Sequence, residues 1–323
     1  MAEKSKPIDW TDPHRKDMLV YQRKSMWLDD TIEKLAAWLG LKQGWTTVDV
    51  GCGLGYIGYT WWPYFGEDGR YIGVDNAAKL IDEARQAASQ WAPQRGAEFI
   101  VGDAYQLPLP DNFADWVVCQ TLLMHLAEPE KALAEMIRVV KPGSLITCFE
   151  PDNLSVGLGM PSWSVPQRSL EVELLSSKIH LISCQGRIKL GRGDESIGRK
   201  LPHLFSQAGL IDIDMRVNDR VGFMEPPYEG AQQQRALENL RKFSLDDEMY
   251  DMRMDRAREE FLAGGGDPKE FDRVIEIGQE TRAIMKEQIE AGTFYSCFGS
   301  EFYCARGRKA GISGGHLPEV EAE

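Results

Sequence analysis

Two hydrophobic periods alternate along the chain. Between Asp9 and Gly40 the positions Met26, Trp27, Ile32, Leu35, Ala36 and Leu39 recur at helical spacing, and Gly40 supplies a stop. This predicts an amphipathic helix that packs on the core or lids it. Short β-branched runs then take over. Thr46 to Val50, Tyr71 to Asp75, Ala97 to Val101, Ala114 to Cys119 and Ser144 to Phe149 read as buried strands. Helical stretches from Ala77 to Trp91 and from Pro129 to Val140 separate them, and Lys141-Pro142-Gly143 turns the chain into the fifth strand. Strands separated by helices pair in parallel through right-handed crossovers, so the predicted fold is α/β with a doubly wound sheet.

Beyond Asp152 the pattern changes. Asn153 to Pro166 is rich in Gly, Pro and Ser, and helices are expected from Gln167 to Ile182 and from Ile197 to Ala208, followed by a strand from Ile211 to Val217. Glu229 to Ala291 reads as a charged helical layer broken at Gly264-Gly265-Gly266-Asp267-Pro268, and the aromatic stretch from Thr293 to Ala305 as a closing edge strand or hairpin. The stripe Met249, Met252, Phe261 and Leu262 is read as helix packing, and the acidic helices from Asp246 to Glu260 as a solvated face. The tail from Gly307 is expected to be mobile. The resulting divisions are a helical cap over 1–40, a core over 41–222 carrying a helical insertion at about 153–196, a helical substrate cap over 223–292, final core strands over 293–308 and a flexible tail over 309–323.

Composition narrows the function classes. With 50 acidic against 37 basic residues the formal net charge is −13, so the average field repels phosphate backbones and nucleic acid is a poor partner. The one basic run, Gly186-Arg187-Ile188-Lys189 through Arg192 to Arg199-Lys200, is read as a solvated loop. No apolar window is long enough for a membrane span and the first ten residues hold no apolar signal core, from which a cytoplasmic protein is expected. The six cysteines form no C-x-x-C pair and no Cys/His spacing suited to zinc, so no metal site is expected.

The densest chemistry lies at Asp49-Val50-Gly51-Cys52-Gly53-Leu54-Gly55. A carboxylate near the end of a strand precedes three alternating glycines, which let a ligand approach the backbone closely at the carboxyl edge of the sheet. Gly53-x-Gly55-x-x-Gly58 also satisfies the dinucleotide fingerprint, which leaves a nicotinamide oxidoreductase open at this point. Asp75 closes the second strand, where a carboxylate can accept from both hydroxyls of an adenosine ribose. Gly102-Asp103-Ala104 closes the third, where an acceptor beside a small residue can meet an adenine amino group.

The order Val-Asp-Val-Gly-Cys-Gly-Leu-Gly, Tyr-Ile-Gly-Val-Asp, Val-Gly-Asp-Ala, Asp-Asn-Phe-Ala-Asp-Trp-Val-Val-Cys-Gln and Leu-x-Glu-Met-x-Arg-Val-Val-Lys-Pro-Gly resembles class I S-adenosylmethionine-dependent methyltransferases of the small-molecule type, over residues from about 45 to 151. The resemblance implies a mostly parallel, seven-stranded Rossmann-like sheet with helical insertions forming a cap. It also implies S-adenosylmethionine as cofactor and S-adenosylhomocysteine as product. On it, Gly51, Cys52, Gly53 and Gly55 surround the methionine part of the cofactor, with Asp49 organising the loop. Asp75 and Asn76 bind the ribose, and Gly102, Asp103 and Ala104 hold the adenine. Gln120 and Thr121 meet the amino-acid end, and Tyr21 and Met26 reach the cofactor from the N-terminal helix or simply pack it.

A sulfonium methyl is already activated, so the chain's task would be to hold an acceptor in line and exclude water. Where the acceptor carries a proton, His125 is the candidate catalytic base, with capping or packing of the next helix as its other reading. Glu150, at the end of the fifth strand, faces the expected crevice and could orient an acceptor or cap the loop, while Trp163, Tyr228, Arg235 and Tyr295 are candidate acceptor contacts because insertions at that edge shape the pocket. Methyl transfer to a small molecule is the leading expectation. Its alternatives are a protein- or RNA-modifying methyltransferase, the nicotinamide oxidoreductase, and a noncatalytic module that binds adenosylmethionine.

Overall fold

The structure, a computed structural model, describes residues 10–12, 16–17, 27–92, 96–157, 169–219, 221–299 and 301–311. The first half alternates as its hydrophobic pattern predicts: α1 (Asp29–Leu39), β1 (Thr46–Val50), α2 (Tyr56–Trp61), β2 (Arg70–Asp75), α3 (Ala78–Trp91), β3 (Ala97–Val101), β4 (Ala114–Gln120), α4 (Pro129–Val139) and β5 (Val140–Pro151). The second half adds α5 (Leu170–Lys189), α6 (Leu201–Gln207), β6 (Leu210–Val217), β7 (Val221–Met224), α7 (Ala231–Asn239), α8 (Asp247–Gly264), α9 (Pro268–Glu290), β8 (Ser296–Gly299) and β9 (Phe302–Lys309). Gly40 ends α1 at φ 66°, a left-handed cap whose N–H donates to the carbonyls of Ala36 and Ala37.

Seven strands form one sheet in the order β3-β2-β1-β4-β5-β9-β6. β1 to β5 pair in parallel, whereas β9 runs antiparallel to both β5 and β6. Successive residues of a strand point to opposite faces, so a strand buried on both sides is apolar throughout. On β4, Trp116 and Val118 enter one core with Trp61, Tyr71, Ala84 and Leu39, while Val117 and Cys119 enter the other with Leu133, Met136, Leu201 and Phe205. Helices α1, α2 and α3 therefore cover one face and α4 and α6 the other, which is the doubly wound α/β arrangement expected. The chain leaves β1 toward β2 and β3, then returns past β1 to β4. The order in which strands are added thus reverses between β1 and β4, and a crevice opens at their carboxyl ends.

The remaining helices build satellite cores. Ile179 of α5, Phe261 of α8 and Phe271 of α9 pack together, and Tyr228, Leu237, Ile289 and Phe294 form another cluster beside the two-stranded sheet of β7 and β8. Several sequence expectations are corrected here. The helix expected to end at Ile182 runs on to Lys189, and the strand at the end of the chain continues past Gly307 to Lys309. The aromatic stretch after Thr293 divides into β8 in the small sheet and β9 in the main one, where β9 is no edge strand but pairs with β5 on one side and β6 on the other. The methionine stripe is no single face, since Phe261 is buried but Met252 and Leu262 are exposed. The acidic helix is not wholly solvated, since Glu260 is buried, and the basic run is not a solvated loop, since Arg187 is 2% exposed.

Helices α5 and α8 cross backbone against backbone. A Cβ at Gly186 would stand 1.6 Å from the carbonyl oxygen of Glu260, and one at Gly264 would stand 2.2 Å from that of Ile182. Neither neighbour is a flexible side-chain tip, so the helices would have to separate. Gly186→Ala is expected to destabilise the protein by roughly 1–3 kcal/mol, read from denaturant unfolding; an unchanged midpoint would mean that the crossing is looser than described.

Candidate functional site

A cavity of about 1180 Å³ opens at the carboxyl edge of the sheet, over the point where strand order reverses. Its floor is the turn after β1. Gly51, Gly53 and Gly55 have φ of 71°, 52° and 76°, a region that side-chain-bearing residues rarely occupy. At Gly53 nothing lies within 4 Å of where a Cβ would stand, so a ligand can approach the backbone, whereas at Gly55 the space is filled by Phe99. The turn is pinned to β2 from two sides. Gly51 and Cys52 donate to the carbonyl of Val74 at 2.7 and 3.1 Å, and Gly53 N–H donates to Asp75 Oδ2 at 2.9 Å. Asp75 Oδ1 accepts from Ala77 N–H at 2.9 Å, so a single carboxylate ties the glycine turn to the start of α3.

The cavity wall gathers Gly51, Cys52, Gly53, Asp75, Asn76, Gly102, Asp103, Ala104, Thr121 and His125 from the residues anticipated in the sequence. Asp103 Oδ1 accepts from Tyr105 N–H at 2.9 Å, which fixes the turn after β3. Cys52 is buried, and burial, reinforced by Asp49 and Asp75, pushes its thiol well above the ordinary range and leaves it un-ionised. Asp49 and Gln120 lie within the sheet and do not line the cavity. Asp49 accepts from Tyr71 Oη at 2.6 Å, and Gln120 is the last residue of β4.

Glu150 does not line the cavity either. It is fully buried, and its carboxylate accepts from the backbone N–H groups of Leu122, Leu123 and Met124 at 2.9, 2.8 and 3.3 Å. These are the donors at the head of the short helix Leu123–His125, which a buried carboxylate satisfies. Thr121, just before them, has φ 49°, a strained value for a β-branched residue, and its N–H donates to the carbonyl of Phe149. Glu150 thus belongs to the scaffold that presents Thr121 and His125, the loop-holding one of its two readings.

Three other anticipated contacts also lie elsewhere. Tyr228 is buried in the satellite core, where its hydroxyl donates to the carbonyl of Phe294 and accepts from its N–H. Arg235 is exposed on α7, and Tyr295 is exposed beside β8. Spacing placed them in the cap but could not orient the cap against the sheet. Tyr21, Met26 and Trp163 lie outside the described residues.

The structure adds wall residues that the sequence reading passed over: Trp10, Tyr56, Tyr59, Tyr105 and Arg192. Tyr56 and Tyr59 stand one turn apart directly after the glycine loop, a readable signal, whereas Trp10 has no pattern around it. Arg192 lay in the run read as solvated. Its Nη2 pairs with Glu259 at 2.6 Å and its Nη1 lies 3.5 Å from Glu260. Arg187 packs beside it, its Nη1 at 3.3 Å from Glu195 and 3.4 Å from Glu260. Burial draws the Arg187 guanidinium down from its ordinary value while Glu195 acts against that, and an arginine so shifted remains a cation. Among the described residues no cluster suited to a metal ion is found, and no helix is long and apolar enough to cross a membrane.

Residues 48–148 match the family model described as a methyltransferase domain. An uncharacterized methyltransferase of Schizosaccharomyces pombe is 34% identical over 159 residues, which are 48% of this chain and 52% of that protein. A demethylmenaquinone methyltransferase of Oceanobacillus iheyensis is 30% identical over 133 residues, 41% and 54% of the two chains. The chloroplastic 2-phytyl-1,4-beta-naphthoquinone methyltransferase of Arabidopsis thaliana is 29% identical over 153 residues, 46% and 57%. The chain therefore spans about half the length of the relatives it matches.

The Glu150 arrangement makes a test available. In Glu150→Gln an amide N–H would replace one accepting oxygen before donors that need it. The variant is expected to lose roughly 1.5–3 kcal/mol of stability, measured by thermal or denaturant unfolding, and wild-type stability would show that the carboxylate does not hold the loop.

Proposed function

We propose, on the premise that residues 48–148 are a class I S-adenosylmethionine-dependent methyltransferase domain, that the chain binds this cofactor in the cavity and moves its methyl group to a small-molecule acceptor. The observation that carries the reading is the convergence of the glycine turn, Asp75 and Asp103 on one cavity wall. Each oxygen of Asp75 accepts one backbone N–H, and a second lone pair on each can take the 2′ and 3′ hydroxyls of a ribose. Asp103 and Ala104 line the same cavity, and an acceptor beside a small side chain suits an adenine amino group. The open approach at Gly53 suits the methionine part of the cofactor, and the residues present fit the group.

When bound, the cofactor supplies an activated methyl group. The chain contributes position: Gly51 to Gly53 and Thr121 would fix the amino-acid end, and the wall formed by Trp10, His125 and Arg192 would hold the acceptor and keep water out. The cavity exceeds the roughly 300–1,000 Å³ of ordinary small-molecule sites, which leaves room for an acceptor beside the nucleoside. A small acceptor is further supported by the net charge of −13 and by the relatives whose names specify a demethylmenaquinone and a naphthoquinone.

Calorimetric titration with S-adenosylmethionine and S-adenosylhomocysteine tests the binding. Asp75→Ala is expected to weaken both by more than about tenfold through loss of two ribose hydrogen bonds, and equal affinity in variant and wild type would remove the assignment. For the acceptor, methyl-labelled cofactor incubated with fractionated cell extract is expected to pass its label to the low-molecular-weight fraction. Label found only in protein or RNA would replace the small-molecule reading.

A further inference from the structure

The half-buried ring of His125 lines the cavity, and Trp10 stands edge-on to it with ring centroids 4.7 Å apart. Arg187, which does not line the cavity, brings its Nη2 to 3.3 Å from His125 Nδ1. A guanidinium carries five donors and no lone pair, so the nitrogen that faces it must be the accepting one. In a neutral imidazole the proton then sits on Nε2. A doubly protonated ring would instead set two cationic donors against each other. The arginine is not free to turn away. Glu195 and Glu260 hold its other terminal nitrogen, and Glu260 is fixed in turn by Arg192 and by Arg256, whose Nε donates to it at 3.1 Å.

We propose that Arg187 is a positioning residue that holds His125 as the neutral imidazole protonated on Nε2, so that the ring meets a methyl acceptor as a hydrogen-bond donor and not as the base that removes its proton. The acceptor half of this rests on the methyl-transfer reading above. His125 loses the role of general base because the ring's one lone pair is already engaged by the guanidinium. The acceptor that suits such a ring brings an oxygen lone pair and no proton for the ring to take: a phenolate, an enolate or a carboxylate. In the transfer, the acceptor's electron pair forms the bond to the methyl carbon and the carbon–sulfur bond breaks. Its electrons stay on sulfur as a neutral thioether, and no proton passes to His125.

The tautomer can be read directly in protein carrying nitrogen-15 histidine, saturated with S-adenosylhomocysteine at neutral pH, by two-bond proton–nitrogen correlation. The expected signature for His125, assigned by its disappearance in His125→Gln, is a protonated Nε2 and an unprotonated Nδ1. In Arg187→Met the second tautomer or the imidazolium is expected to appear at the same pH. In Arg187→Lys, which keeps a donor, the wild-type pattern is expected to persist. An imidazolium or an Nδ1-protonated ring in the wild type overturns the proposal, as does an unchanged pattern in Arg187→Met. If that variant does not fold, the wild-type spectrum decides alone. With the nucleoside bound in mildly alkaline buffer, 4-nitrophenolate is expected to shift the Nε2 resonance and nitrobenzene is not; equal shifts from both, or none from either, overturn the acceptor class. If the nucleoside itself does not bind, the methyl-transfer reading falls, while the tautomer is still read in the free protein.

Discussion

Parallel pairing of β1 with β2 on one side and with β4 on the other is the constraint from which the site follows. Parallel neighbours all point their carboxyl ends the same way, so the turns after β1, β2, β3 and β4 leave the sheet at one edge. Because strand order reverses between β1 and β4, the turn after β1 faces a crevice. Asp75 then converts proximity into a fixed geometry, since its carboxylate takes one N–H from the glycine turn and another from the start of α3. The cavity floor is thereby set by backbone hydrogen bonds on rigid elements.

Two buried carboxylates do comparable structural work without touching the cavity. Asp49 accepts from Tyr71 inside the sheet, and Glu150 gathers three N–H groups at the head of the Leu123–His125 turn. A buried carboxylate is tolerated when donors surround it, and removing those donors costs more than the net worth of each bond. The chain therefore places strained Thr121 and the ring of His125 on the cavity wall through groups that stand behind it. Arg187 extends the same logic from the opposite side, joining the helical layer to the wall through Glu195, Glu260 and His125.

The helical additions meet one another through contacts that leave little slack. Gly186 and Gly264 bring the backbones of α5 and α8 together, and this crossing carries Arg187 and Glu260 on adjoining positions. A cluster of three arginines and three glutamates there, Arg187, Arg192, Arg256, Glu195, Glu259 and Glu260, keeps a charged network beside the cavity wall. Partner and donor satisfaction, more than Coulombic gain, makes such a network stable at low exposure.

By itself, the sequence determined the elements whose signals are local. β-branched runs split by amphipathic helices gave the parallel half of the sheet, and glycines at positive φ marked the turn after β1. Asp75, ending β2, and Asp103, two residues past β3, reached the cavity because strand ends and site coincide in such a sheet. What depended on contacts between distant segments was decided only in three dimensions. β9 inserts between β5 and β6 after 84 residues of chain beyond β6 and 150 beyond β5, a pairing that no local period encodes. Tyr228 and Glu150 turned away from the cavity because each found buried hydrogen-bond partners elsewhere. Arg187 and Trp10 arrived at His125 because packing of the helical layer and of the N-terminal segment brought them there. Periodicity records which face of an element is apolar, whereas the partner of a buried polar group is fixed only when the faces meet.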